Sequence, residues 1–501
     1  PGLLLAQSPA SIQNAVNSIT PEDIRRRVGL LADDSMLGRA TPSPQLEQAA
    51  RYIAGEFRRL GLKPGGDSGS YLQRFWILQR QLDSARATLE IAAPSGTVTL
   101  KPGRDVNLLP FGTLPSREIS GPVVLLAGRG DTLRPLAGAD VRGAWVAVFG
   151  SADPTGMRIL DPAPQAAVRA GALGVLVISN RPDTMWQSRM ARLFRSTLTP
   201  AWRVDADTVR HPAYLEIRDA QAARSLGVDV VALRALTSRT TQQLAGVVMT
   251  YRPAYRDVDR LSAPNVIGVL EGGDPQLRSE YVFFTGHMDH VGTPGAGQGC
   301  TARGGDSICN GADDDASGTT AVIEAAEAFA RLSPRPKRSL VFMAVSGEER
   351  GLWGSEYFSE YPTVPLANTV ANLNTDMVGR NWKDTIAVIG KEHSDLGRTL
   401  NRVAAAHPEL RMQPIDDIWP QENFYFRSDH YNFARKGVPI LFFFNGTHGD
   451  YHQVTDSPDK IDAEKQARIV KLVFYLGLDI ANAPQRPQWN PDSYRRIVQG
   501  N

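Results

Sequence analysis

Tyr281-Val282-Phe283-Phe284-Thr285-Gly286-His287-Met288-Asp289-His290 decides how the chain is read, because an apolar run of strand length leads directly into an imidazole, a carboxylate and a second imidazole. The run has no polar alternation, and strands buried on both faces read that way. Open sheets place ligands beyond the carboxyl ends of their strands, so His287 stands where chemistry is expected. Asp289, two residues on, can orient that imidazole. A His-x-Asp pair is too common by itself to assign a metal.

Working outward, runs at 265–270, 339–345, 369–373, 385–389 and 438–444 predict further strands, and 317–332, 394–406 and 462–482 predict the helices that cover them. The expected class is α/β, a mixed, mostly parallel sheet sandwiched by helices. Upstream, Thr20-Pro21-Glu22-Asp23 is a helix start, with a capping hydroxyl, Pro at the first position and acids near the positive helix end. A second helix is predicted over 44–60, with Ala50, Ile53, Phe57 and Leu60 on one face and Gly61 at its end. Strands are expected at 71–78 and 87–92. Between these regions, short apolar runs at 123–126, 145–149, 173–178 and 213–217 alternate with Gly- and Pro-rich turns and one helical stretch, 164–172. That texture predicts a compact strand-rich module over 115–250, a spacer or lid without chemistry of its own.

At roughly 150 residues per domain, the 501 residues suggest about three folding units. Hydrophobic residues at 42% and charged residues at 22% match a soluble globular protein rather than a disordered one. Lys+Arg 55 against Asp+Glu 53 leaves a net charge of +2, which excludes overall-charge recruitment by nucleic acid or an anionic membrane. No apolar run approaches the roughly 18 residues that cross a bilayer. The two cysteines, Cys300 and Cys309, are too few for a disulfide scaffold or a thiolate zinc site. They can close a small ring in an oxidising compartment or stand as free thiols. Leu3-Leu4-Leu5-Ala6-Gln7 followed by Ser8-Pro9-Ala10 looks like the end of a secretory leader and its cleavage zone, so residues 1–19 are read as a signal remnant or an N-terminal extension, and an exported, periplasmic or secreted protein is expected.

More donors follow the other strand-like runs. Asn310-Gly311-Ala312-Asp313-Asp314-Asp315-Ala316-Ser317-Gly318 sets three adjacent acids before a helix; a helix N-terminus tolerates acids, but their mutual repulsion favours a bound cation. Ser346-Gly347-Glu348-Glu349, Asn372-Leu373-Asn374-Thr375-Asp376 and Tyr451-His452-Gln453-Val454-Thr455-Asp456 each place a donor beyond a strand. Imidazole plus carboxylate suits zinc, with manganese or cobalt as alternatives. Two histidines and three acids exceed what one tetrahedral ion needs and fit two ions that share a bridging carboxylate.

Taken in order, GHMDH, NGADDDASG, SGEE, NTD, YFRSDH and YHQVTD resemble the co-catalytic two-zinc aminopeptidase family, which includes bacterial leucyl aminopeptidases and, more distantly, glutamate carboxypeptidase II. The resemblance implies that His287, Asp314 and Asp376 bind one zinc and that Asp314, Glu349 and His452 bind the other. It also implies Glu348 as general base, Tyr425 as an oxyanion-stabilising tyrosine and Asp289 as support for His287, with Asp313, Asp315 and Asp429 as orienting acids. A carboxylate free of the metal is what proton transfer from water to a leaving amine requires. Gly121-Pro122-Val123-Val124-Leu125, the stretch Val141-Arg142-Gly143-Ala144-Trp145-Val146-Ala147-Val148 and the stretch Ala170-Gly171-Ala172-Leu173-Gly174-Val175-Leu176-Val177 resemble a protease-associated domain. On this reading 20–114 and 251–485 form one interrupted peptidase domain, 115–250 is the insert and 486–501 is a tail. The expected partner is a peptide with a free N-terminus. Carboxypeptidase and glutaminyl-cyclase chemistry on the same fold, and a non-catalytic receptor of the transferrin-receptor kind, are the alternatives; the complete ligand set disfavours the cyclase and the receptor. Trp353, Trp382, Trp419 and Phe424 are candidates for the side-chain pocket by proximity to the motifs, and Arg427 for contact with an acidic group.

Overall fold

Adjacent phenylalanines of the strand Tyr281–His287 bury on opposite faces of one sheet. The computed structural model, which describes residues 7–109, 115–128, 135–150, 163–193, 197–205 and 212–499, places the Phe283 ring 5.5 Å from Phe358 and 5.3 Å from Phe433. Phe284 instead meets Phe329 at 5.3 Å. Strand residues alternate faces, so a run that is apolar throughout requires cover on both. The helix Gly318–Ala330, which carries Phe329, supplies one layer, and Trp353–Glu360 and His430–Ala434 supply the other.

Strand order in this sheet runs Gln413–Ile415, Thr385–Ile389, Ile440–Phe444, Thr369–Thr375, Tyr281–His287, Ser339–Val345, Tyr255–Leu270, Leu72–Leu82, Thr197–Pro200. Tyr281–His287 is parallel to both of its neighbours, and Thr369–Thr375 is parallel to Ile440–Phe444. Tyr255–Leu270 and Thr385–Ile389 run antiparallel to their inner neighbours, so the sheet is mixed as expected, with its parallel strands at the centre and antiparallel pairings outside them. The predicted N-terminal signal is also in place: Thr20 Oγ1 accepts the Asp23 N–H at 3.1 Å and opens the helix Pro21–Leu31. The helices Pro44–Arg59, Leu396–Ala406 and Ala463–Asn482 fall within about two residues of their predicted ends, the ordinary uncertainty of a frayed terminus. None of the helices among the described residues is long and apolar enough to cross a membrane.

The chain divides into two compact units, Pro1–Phe75 with Ser262–Asn501, and Trp76–Leu261. The second is wider on both sides than the module expected over 115–250. Its own sheet runs Gly96–Leu100, Thr88–Ala93, Thr240–Arg252, Ile119–Ala127, Trp145–Phe149, Gly174–Ser179, Ala213–Arg218, Asn107–Leu108. Four of these strands, from Ile119–Ala127 to Ala213–Arg218, are parallel neighbours. Parallel strands need crossover connections, and Ala163–Arg169, Asp183–Leu193 and Asp219–Leu226 are helices where a single helical stretch was expected. The unit is therefore α/β rather than merely strand-rich.

Of the N-terminal segment read as a leader remnant or extension, Leu3-Leu4-Leu5-Ala6 lies outside the described residues. The part that follows is folded. Ser8 caps the helix Pro9–Asn17, which buries Ala15 and Val16, and the Gln7 side chain donates to the carbonyls of Pro334 and Arg335 at 3.1 and 2.9 Å.

Candidate metal centre

The parallel central strands end level with one another: His287 pairs with Val345, Thr285 with Asn374, and Thr375 with Phe443. His287 closes its strand, Asp376 follows Thr375 directly, and Glu348 and Glu349 begin a tight turn just beyond Val345. His452 comes from the loop after Phe444. Asp314 enters from a π-type turn, Ala312–Ser317, in which the Ala316 N–H reaches back to the Gly311 carbonyl at 3.2 Å.

Other acids hold this backbone. Asp315 accepts the N–H groups of His287, Gly318 and Met377 at 3.0, 2.8 and 3.1 Å, tying two strand ends to the first turn of the helix. Asp456 accepts those of Asp313 and Asp314 at 3.1 Å, and Asp313 takes the Gly379 N–H and faces His448 Nε2 at 3.1 Å. Asp429 accepts the Ser355 hydroxyl. Oxygens committed in this way are poorly available to a metal. The fully buried Arg39 donates to the carbonyls of Met288, Asn310 and Gly311 at 2.8, 2.8 and 2.9 Å and so clamps the first motif to the second. Thr41 gives its hydroxyl to Asp289 at 2.9 Å, and the other oxygen of Asp289 lies 3.3 Å from the Glu348 N–H. Arg39 and Thr41 had no signal in the sequence, because they act on motifs about 250 residues away.

His287 Nδ1 faces the Asp289 carbonyl at 3.1 Å and its carboxylate at 3.7 Å, leaving Nε2 turned to Asp314 at 3.3 Å and Asp376 at 3.6 Å. A ring nitrogen engaged on its far side presents its partner nitrogen as a metal donor. On the other side of Asp314, His452 Nε2 is 3.1 Å from Asp314 Oδ2 and 3.1 Å from Glu349 Oε2. Two donor sets therefore meet at Asp314: His287, Asp314 and Asp376, and His290, Asp314, Glu349 and His452, the donor atoms of each lying within 4.8 Å of one another. The residues fit cations on a local test, since Asp314 Oδ2, Glu349 Oε1 and His452 Nε2 are buried without a hydrogen-bond partner among the described residues. Buried polar atoms are rarely left so.

Burial disfavours the His287 imidazolium, but Asp376, Asp315 and Glu348 outweigh it and hold its pKa well above the usual histidine range. Burial likewise drives Asp314 upward, yet His290, His287 and His452 bring it well below an ordinary carboxylate. Glu348 is pushed well above its usual value by burial, opposed by His287 and reinforced by Glu349, Asp429 and Asp376. Carboxylates crowded in this manner favour neutralisation by protons or by cations.

A cleft opens on the first donor set. His287, Asp314, Asp376 and Glu348 line it together with Met377, Phe424, Arg427, Phe442, Phe444 and Tyr451. Tyr425 is not among them. Its ring packs against His393 at 4.5 Å and belongs to the apolar core, and its hydroxyl is buried without a partner among the described residues. Phe424–Phe426 is a tight three-residue turn, so successive side chains splay by about a third of a circle and Phe424 takes the cleft while Tyr425 turns inward. The tyrosine that faces the acids is Tyr451, stacked on His452 at 3.9 Å; its phenol is pushed up by burial and by Asp314, Glu349 and Glu348. Of the pocket candidates, only Phe424 lines the cleft. Trp353 is buried core, and Trp382 stacks on Trp419, which backs Phe424 and Phe444. His290 and Tyr451 were visible beside assigned residues in the motifs but carried no role.

Residues 265–477 match the model of peptidase family M28. The motif resemblance agrees with this M28 segment. Among curated relatives, a probable zinc metalloprotease of Pyrenophora tritici-repentis is 27% identical over 265 residues, 45% of this chain and 53% of that protein. A probable leucine aminopeptidase of Arthroderma benhamiae is 29% identical over 181 residues, 34% of this chain and 49% of that protein. The chain thus spans about half the length of the curated relatives it matches. An aminopeptidase from Aneurinibacillus sp. strain AM-1 shares the fold, with a TM-score of 0.52 at 19% identity over 96% of this chain and 98% of that one.

Proposed function

We propose that the protein is an exported zinc aminopeptidase that removes apolar residues from the free N-termini of peptides. One zinc would be held by His287, Asp314 and Asp376 and the other by Asp314, Glu349 and His452. The observation that carries this reading is Asp314, one carboxylate shared by two sets of converging donors, with Asp314 Oδ2, Glu349 Oε1 and His452 Nε2 buried without a hydrogen-bond partner among the described residues. When bound, zinc supplies Lewis acidity that polarises a carbonyl and lowers the pKa of water.

The chain's own residues supply the rest. Glu348 lines the cleft, and its backbone is anchored on Asp289; its carboxylate takes the proton of the attacking water and returns it to the leaving amine. The oxyanion role, which the resemblance gave to Tyr425, is assigned to Tyr451, whose ring lines the cleft beside the donors. Glu348 and Asp376 give the cleft an acidic end suited to a substrate ammonium group, while Met377, Phe424, Phe442 and Phe444 form an apolar wall for the first side chain. Arg427 is stacked 4.7 Å over the Phe424 ring and lies 3.5 Å from Glu422 at an exposed rim, so its charge already has a counterion. The Cys300–Cys309 bond supports export to an oxidising compartment. The middle unit fits a protease-associated module, since its Gly-punctuated strands Ile119–Ala127, Trp145–Phe149 and Gly174–Ser179 are parallel neighbours.

Hydrolysis of a panel of aminoacyl amides and N-blocked peptides, with and without chelator, tests the reading. Chelator-sensitive cleavage confined to free N-termini is expected. Cleavage of blocked peptides overturns the aminopeptidase assignment, and insensitivity to chelator overturns the metal.

A further inference from the structure

We propose that His290 is a further protein ligand of the centre, closing the set around Glu349 and His452 to four donors while the set around His287 and Asp376 keeps three. This rests on the two-ion reading above and goes beyond its five ligands.

Both ring nitrogens of His290 are fully buried and have no hydrogen-bond partner among the described residues. A polar group left in that state is costly unless something meets it. His290 Nδ1 lies 2.9 Å from Glu349 Oε1 and 3.6 Å from Asp314 Oδ2. Those two oxygens and His452 Nε2 are also buried without a well-aligned hydrogen bond among the described residues, so four donors converge on one small volume at ion-pair distances, as atoms do when they share an ion. The ring is held where it is. Gly311, at φ +60°, presses its backbone on it, and a Cβ there would fall 2.4 Å from the His290 Cγ. Arg39 fixes the carbonyls of both Met288 and Gly311 around that contact.

The opposite set has no second imidazole, and one Asp376 oxygen is taken by the Ser428 hydroxyl at 2.8 Å. Its residues line the cleft, whereas His290, Glu349 and His452 do not. Four protein donors mark a closed, structural zinc site and three an open, catalytic one. The two ions are therefore unequal: one is held by the chain alone, and the other keeps coordination capacity on the substrate side.

The full chain, labelled with 15N-histidine and loaded with two equivalents of 113Cd, tests this without a mutation. One cadmium resonance split by two imidazole nitrogens and a second split by one is the expected result. Two resonances each split by a single imidazole overturn His290 as a ligand and leave the two-ion reading standing. A chain that binds no more than one cadmium overturns the two-ion reading itself. In zinc competition against a chromophoric chelator, His290→Ala should weaken the tighter site by more than about 100-fold, beyond the roughly 10–100-fold range of residues that act only through a ligand. A loss inside or below that range makes His290 a positioning residue and overturns the proposal.

Discussion

The two units each build four parallel strands, yet they treat the buried charge beside those strands in opposite ways. In the middle unit, Glu216 on the strand Ala213–Arg218 is fully buried and meets Arg181 Nε at 2.8 Å and Asn107 Nδ2 at 2.8 Å. Protein groups alone satisfy it. In the other unit His287 ends its strand while Glu349 and Asp376 lie just beyond theirs, and Asp314 Oδ2, Glu349 Oε1 and His452 Nε2 are buried together without a hydrogen-bond partner among the described residues. Architecture does not separate the two cases. What separates them is whether the chain supplies the counter-charge, because a buried ion without one is expensive and marks where a ligand is needed. Substitutions on each side sharpen the contrast.

Asp314→Ala should have the largest effect, because it removes the one donor that both sets share. We expect kcat/KM to fall by roughly 10⁴-fold, several kcal/mol of lost transition-state stabilisation, and bound zinc to drop below two per chain. Activity within tenfold of the parent, with two zinc ions retained, would dismiss Asp314 as the bridge. Glu348→Gln separates chemistry from metal. It lines the cleft without belonging to either donor set, so kcat should fall by about 10²–10⁴-fold while metal analysis still finds two zinc ions. An undiminished kcat would remove Glu348 as the base.

Much of this centre was legible, for a physical reason. Phe283 and Phe284 must both be buried, and a strand buried on two faces between parallel neighbours presents its carboxyl end to a cleft, so His287, Glu349 and Asp376 were marked by the apolar runs before them. Tyr425 shows where that logic stops. Which of two adjacent aromatics enters a cleft depends on the phase of a three-residue turn, and a motif match carries no phase. Arg39 and Thr41 act on segments far away in sequence, and the contact of Gly311 with His290 depends on how the loop between two motifs folds back, so only the folded chain displays them. The crossover helix Asp183–Leu193 escaped notice because its polar and apolar residues are too mixed to give a clear stripe.

On the satisfied side of the comparison, Glu216→Ala should cost stability rather than chemistry. Removing one partner of a buried ion pair typically costs about 3–5 kcal/mol. Denaturant unfolding should show the middle unit weakened by an amount of that order, with kcat/KM per folded molecule unchanged. A large loss of activity in the folded variant would mean that this unit does more for the reaction than its satisfied charges suggest.

The smallest effect is expected where the two kinds of stabilisation meet. Cys300 and Cys309 bond across a sequence separation of nine residues and pack with Val291 and Val454, so the bond closes a ring within the loop between the first two motifs, and that ring packs on the loop that carries His452. Cys309 Sγ sits 3.7 Å from the His452 carbonyl oxygen, and the Cys309 N–H donates to the Gly292 carbonyl at 3.0 Å. Closing so short a ring restricts the unfolded chain by about 2.6 kcal/mol in the loop-entropy account. Replacing both cysteines by serine should therefore lower stability by no more than about that amount. The backbone and apolar contacts that remain should keep His452 in place, so zinc stoichiometry stays at two and kcat changes less than zinc affinity does. Loss of one zinc from the double variant would instead assign the disulfide a direct part in holding the four-donor set.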